Sequence, residues 1–135
     1  MDTSPQGMTD LDQLIQSMDP VLHPGEYVFA TVQEIEAIPR SVAICEFQEE
    51  EGVTVVLARE KAEELGLSFD YIAAWITLKV HSALDAVGLT AAFATELAQH
   101  GISCNVIAGY YHDHIFVAYQ DGEKAQEVLR RMTGK

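Results

Sequence analysis

"LKVHSALDAVGLTAAFATELAQHGISCNVIAGYYHDHIFVAYQD" runs from Leu78 to Asp121, and the hydrophobic period changes twice along it. Its first residues close "YIAAWITLKVHS" (71–82), the longest run of aromatic and β-branched residues in the chain, which reads as a strand. From Ala83 the period lengthens. In "ALDAVGLTAAFATELAQHG" (83–101), Leu89, Phe93 and Leu97 fall at i, i+4 and i+8, one stripe of a helix, and Gly101 ends it. "SCNVIAGYY" and "HIFVAYQ" then read as two strands around a tight turn near His112 and Asp113. Strand, helix and hairpin form most of a split β-α-β unit.

Working outward, "DGEKAQEVLRRM" is a helix capped by Asp121, with Ala125, Val128, Leu129 and Met132 facing inward. Only a last strand is missing, which a neighbouring segment could supply. Upstream, "DLDQLIQSM" carries Leu11, Leu14, Ile15 and Met18 at helical spacing, with Asp10 placed as its cap and Pro20 as its stop. "LHPGE" is a turn. "EYVFATV", "SVAICEF" and "VTVVLA" are strands, the last two joined by the acidic loop "QEEEG". "REKAEELG" is a short helix closed by Gly66. The order is α-βββ-α, then β-α-ββ-α: an α+β chain of antiparallel sheets with helices on one face.

The chain has 135 residues, 48% of them apolar, which suits one compact body or two very small units. Formal charge is −13, with −12 falling in residues 1–70. That surface excludes nucleic acid, whose phosphates need a basic face. No stretch has the length of a membrane span, and "MDTSPQGMTDLDQL" has acids where a leader needs bases, so a cytoplasmic protein is expected. Residues 1–9 read as a loose tail. Cys45 and Cys104 each sit in an apolar run and should be reduced and packed.

The 78–121 stretch resembles the ACT domain family. The resemblance rests on an apolar-Gly pair before the first helix (Val87-Gly88) and "Gly-Ile" before the next strand (Gly101-Ile102). Together with "DLDQLIQSMDPVLHPGEYVF", "REKAEELGL" and "YYHDHIF", the whole chain resembles small uncharacterised bacterial proteins built from two ACT-like units. The resemblance implies a ferredoxin-like fold in two tandem units, residues 10–69 and 70–135. It also implies a regulatory role and a small ligand, often an amino acid, held between units. The first half departs from the family's order, with a leading helix and three consecutive strands.

Physical chemistry gives the loop a reason to bind. A glycine at a strand-to-helix bend lets backbone approach a guest, and the free N–H groups of Val87, Gly88 and Leu89 could receive a carboxylate. His81 and Ser82 lie beside that bend. Ser82 and Asp85 also have capping-box spacing, so Asp85 could satisfy those donors itself. The opposing wall would come from Asn105, Ile107, Tyr110, Tyr111, His112 and His114. His112 and His114, two apart, would share a strand face and could chelate a metal with a third ligand from Asp113, His81 or His23, but a polar hairpin turn explains them as well. Tyr71 and Trp75 are expected to pack. No catalytic motif is present. The expectation is therefore a non-catalytic, homodimeric module with no cofactor and no membrane contact, binding an amino acid. Its rivals are a small metal-dependent enzyme using His81, His112 and His114, or an acidic module docking a basic protein.

Overall fold

The computed structural model describes residues 10–80 and 87–134. Its helices are α1 (Asp10–Ser17), α2 (Arg59–Glu64), α3 (Leu89–Gln99) and α4 (Gly122–Met132). Its strands are β1 (Asp19–Leu22), β2 (Tyr27–Val32), β3 (Cys45–Gln48), β4 (Val53–Ala58), β5 (Ile72–Lys79), β6 (Asn105–Ala108) and β7 (Asp113–Ala118). These strands form one sheet in the order β3-β4-β2-β5-β7-β6, and every pairing is antiparallel.

The sheet holds two ferredoxin-like sets joined at β5. In the first, β2, β3 and β4 are completed by the start of β5, where Tyr27 meets Ala73. In the second, β5, β6 and β7 need a fourth strand, and β1 supplies it: Asp19 pairs with Lys79 and Leu22 with Ile76. The sequence reads "DPVL" as a helix stop running into a turn, whereas it forms this strand. Pro20 lacks a donor, which an edge strand tolerates, and its carbonyl accepts from Gln126 at 3.0 Å. The first set keeps only a 3₁₀ turn (Ile35–Ala37) where the second has α3. β3 also starts later than "SVAICEF" suggests, because Val42 N–H turns back to Pro39 O before Ile44 N–H joins Val56 O.

Alternation along β5 sends its side chains to two different cores. Ala74, Ile76 and Leu78 join Phe93, Leu97, Ile115, Val117, Ala125 and Leu129 under α3 and α4, with Leu11, Leu14 and Ile15 of α1 packed on top. Under α2 the same face continues through Val28, Ala30, Val55, Leu57 and Ala62. Gly122 lets α4 sit close, since a Cβ there would lie 2.8 Å from the Ala74 Cβ. Residues 10–22 therefore pack with the second set of strands, although they precede the first in sequence. On the opposite face, Ala73, Val56 and Phe116 are buried with Tyr27, Phe29, Tyr71, Trp75, Cys45 and Ile107. The sheet curls around that face far enough that its two edges, β3 and β6, border one cavity.

Candidate functional site

That cavity measures about 470 Å³ and is walled by Ile44, Cys45, Trp75, Ile107, Ala108, Gly109, His114 and Phe116. Its floor is a cross-strand row. His23, just past β1, stacks on Trp75 of β5 (ring centroids 3.6 Å apart, planes at 13°), and Trp75 lies near-parallel to Phe116 of β7 at 6.1 Å and 18°. Tyr27 meets the indole edge-on. Antiparallel register causes this, because His23 N–H bonds Trp75 O and Trp75 faces Phe116 directly.

The next row carries the polar chemistry. Thr77 faces His114 across β5 and β7. Trp75 Nε1 donates to His114 Nδ1 at 3.1 Å, and an indole nitrogen can only donate. His114 Nδ1 is thus an acceptor, and the ring's proton sits on Nε2. Thr77 Oγ1 lies 3.1 Å from the same Nδ1 and 2.7 Å from His23 Nε2. The arrangement is consistent when Thr77 O–H shares the single Nδ1 lone pair of His114 with the Trp75 N–H and His23 Nε2–H donates to Thr77. Burial chiefly holds both imidazoles below the ordinary histidine pKa. For His114 the nearby His112 adds to this and Asp113 opposes it; for His23, His114 and Lys79 add. The chain His23–Thr77–His114–Trp75 is accordingly a neutral one.

The residues proposed from sequence divide into two groups. Ile107 and His114 line the cavity. Asn105 shares their face at the neighbouring row, where its amide donates to Phe116 O at 3.4 Å. His112 ends the hairpin, its carbonyl receiving Gly109 N–H, while Tyr110 and Tyr111 are exposed at the tip and touch edge-to-face. Val87 is exposed, Gly88 caps α3 at φ +93° against Leu11, and the Leu89 side chain is buried in the helix-side core. Gly88 and Leu89 thus lie across the sheet from His114 and Ile107, so the opposing-wall arrangement does not form. His81, Ser82 and Asp85 lie outside the described residues. Sequence reading misses Ile44, Cys45, Thr77 and Phe116, offers His23 only as a metal ligand, and takes Trp75 for packing alone. The one signal available was a polar Thr77 two residues from Trp75 on the same strand face.

Among the described residues, no three His, Cys, Asp or Glu side chains gather to hold a metal. The two thiols sit on opposite faces of the sheet, and burial pushes Cys104 up to about 11.

One ACT-domain model matches residues 6–74 and a second matches 71–131. This chain belongs to the ACT-domain family. The two matches overlap at the first residues of β5, the strand both ferredoxin-like sets share. ACT domains are typically ligand-binding regulatory modules. A Vibrio cholerae protein of unknown function, described as a possible transport protein, is 52% identical over 91% of this chain and 95% of its own, with a TM-score of 0.82. An Agrobacterium tumefaciens protein is 20% identical over 86% of this chain and 89% of its own (TM-score 0.65). The regulatory subunit of aspartate kinase from Thermus thermophilus is 10% identical over 84% of this chain and 95% of its own (TM-score 0.64), a likeness of fold. No curated protein matches the chain. No helix among the described residues is long and apolar enough to cross a membrane.

Proposed function

We propose that this ACT-family chain is a regulatory or sensing protein without catalysis of its own, which binds a small molecule in the β3–β6 cavity. An amino acid is the first class to test, and a homodimer the expected assembly, as is common among ACT modules. The observation that carries the reading is the cavity itself. Its volume of about 470 Å³ lies within the roughly 300–1,000 Å³ of small-molecule sites. Its walls are apolar apart from one oriented imidazole, the usual composition of such sites. A second location is the first turn of α3, where the bend at Gly88 (φ +93°) would present the helix's first backbone N–H groups to a carboxylate.

The protein's one tryptophan lines the cavity, so its emission reports occupancy. Titration with the twenty amino acids should produce a saturable change in Trp75 emission with at least one of them, together with a raised Tm. A raised Tm with unchanged emission would place the ligand at the α3 turn. Absence of both responses at millimolar concentration refutes amino-acid sensing.

A further inference from the structure

The composition of the cavity wall restricts what can enter. Ile44, Trp75, Ile107 and Phe116 are apolar, and no Asp, Glu, Lys or Arg is among the eight lining residues. An ammonium or carboxylate drawn inside would lose water and gain no counter-ion from the lining side chains, which opposes its entry. His114 cannot supply the missing charge. Its Nδ1 already faces the Trp75 N–H, and a protonated ring would set two donors against each other. Cys45 cannot supply a negative one, because burial, and then Glu46, keep its thiol protonated.

Among the lining side chains, the hydrogen-bonding group that remains is the Nε2–H of His114. A Cβ on Gly109 would stand 3.2 Å from that nitrogen, so the missing side chain leaves it open toward the cavity wall. No acceptor among the described residues takes this proton. Trp75, by contrast, has His23 and Phe116 against its ring, so a guest meets its edge rather than its face.

We propose that the β3–β6 cavity selects an uncharged apolar group bearing one hydrogen-bond acceptor, which His114 Nε2–H receives beside Gly109. This rests on the placement of the ligand site given above and adds the ligand's chemical class. Any charged head group stays at the mouth, in water. Among amino acids, tyrosine fits this description, and p-cresol, its side chain without the head group, should bind as well. Aspartate and lysine should be refused.

The test follows the single indole N–H resonance, that of Trp75, by NMR in the full-length protein, with p-cresol, tyrosine, aspartate and lysine as probes. A saturable shift is expected with p-cresol and tyrosine, and none with aspartate or lysine at tenfold higher concentration. His114→Phe should weaken p-cresol binding about tenfold by removing the donor. Should that variant fail to fold, Cys45→Phe fills the cavity instead and should abolish the p-cresol shift while leaving the indole signal of the free protein near its place. If p-cresol binds and none of the twenty amino acids does, the inference stands and amino-acid sensing falls. If aspartate or lysine moves the Trp75 signal more strongly than p-cresol, the inference is overturned while sensing survives. A probe that raises Tm without moving the indole signal overturns the inference too. Silence from every probe overturns the inference, while the sensing reading stands or falls on the full set of twenty amino acids.

Discussion

Replacing Thr77 by valine removes one oxygen and leaves the outline of a 5%-exposed side chain unchanged. That oxygen joins His23 at 2.7 Å to His114 at 3.1 Å. Each bond is worth about 0.5–1.5 kcal/mol net, which gives about 1–3 kcal/mol for the pair. His114 keeps its Trp75 donor, and His23 is only partly buried, so its freed N–H can turn to water. The expected loss is therefore in the lower half of the range, about 1–2 kcal/mol. Urea unfolding followed by circular dichroism measures it, and the midpoint should fall with the slope unchanged. The decisive comparison is a double-mutant cycle with His23→Phe, which preserves the ring against Trp75 while deleting the donor. In that background Thr77→Val should cost less by at least about 0.5 kcal/mol. A valine variant as stable as the parent, or an identical cost in both backgrounds, refutes the hydrogen-bond chain.

Gly122→Ala tests the close seating of α4. Alanine within a helix ordinarily gains up to about 1 kcal/mol over glycine, but here its Cβ would press on the Ala74 Cβ, and we expect a loss of about 1–3 kcal/mol on thermal unfolding. Acidification tests the two imidazoles. Both pKa values lie below the ordinary 6.5 in the folded protein, so the unfolded chain binds protons first. Stability is then fully present above about pH 6.5 and declines as pH falls from there toward the folded values. Burial raises Asp113, which acts in the opposite sense but from the carboxylate range. Thermal midpoints between pH 7.5 and 5 should show the decline, and His114→Phe should flatten it.

Local patterning made most of the elements legible. The Leu89–Phe93–Leu97 stripe, Gly66 and Gly101 as helix ends, and the alternation flanking "GYYHDH" all correspond to α3, α2 and the β6–β7 hairpin. Strand β1 was not legible, because four residues including a proline carry no period, and its pairing partners lie some sixty residues away. The same reason hid most of the site. His114 and Ile107 stand in one hairpin and were found together, but His23, Thr77 and Ile44 reach them only through registers between β1, β5, β7 and the curl that brings β3 round. The glycine bend at 87–89 was legible as a bend. Which face of the sheet it serves depended on α1 covering it, a tertiary fact.

The borrowed strand also orders events during synthesis. Residues 10–22 leave the ribosome before the segments they pack on, since their partners on β5 and α4 emerge some sixty to a hundred residues later. Until then Leu11, Leu14, Ile15 and Met18 have no surface to cover, and the nascent chain carries them exposed. Expression of residues 75–135 alone should give an aggregation-prone fragment, and a peptide spanning residues 10–26 supplied in trans should rescue it. A gene cut where the two family matches overlap would separate neither half cleanly, because one strand of the later unit travels with the earlier one.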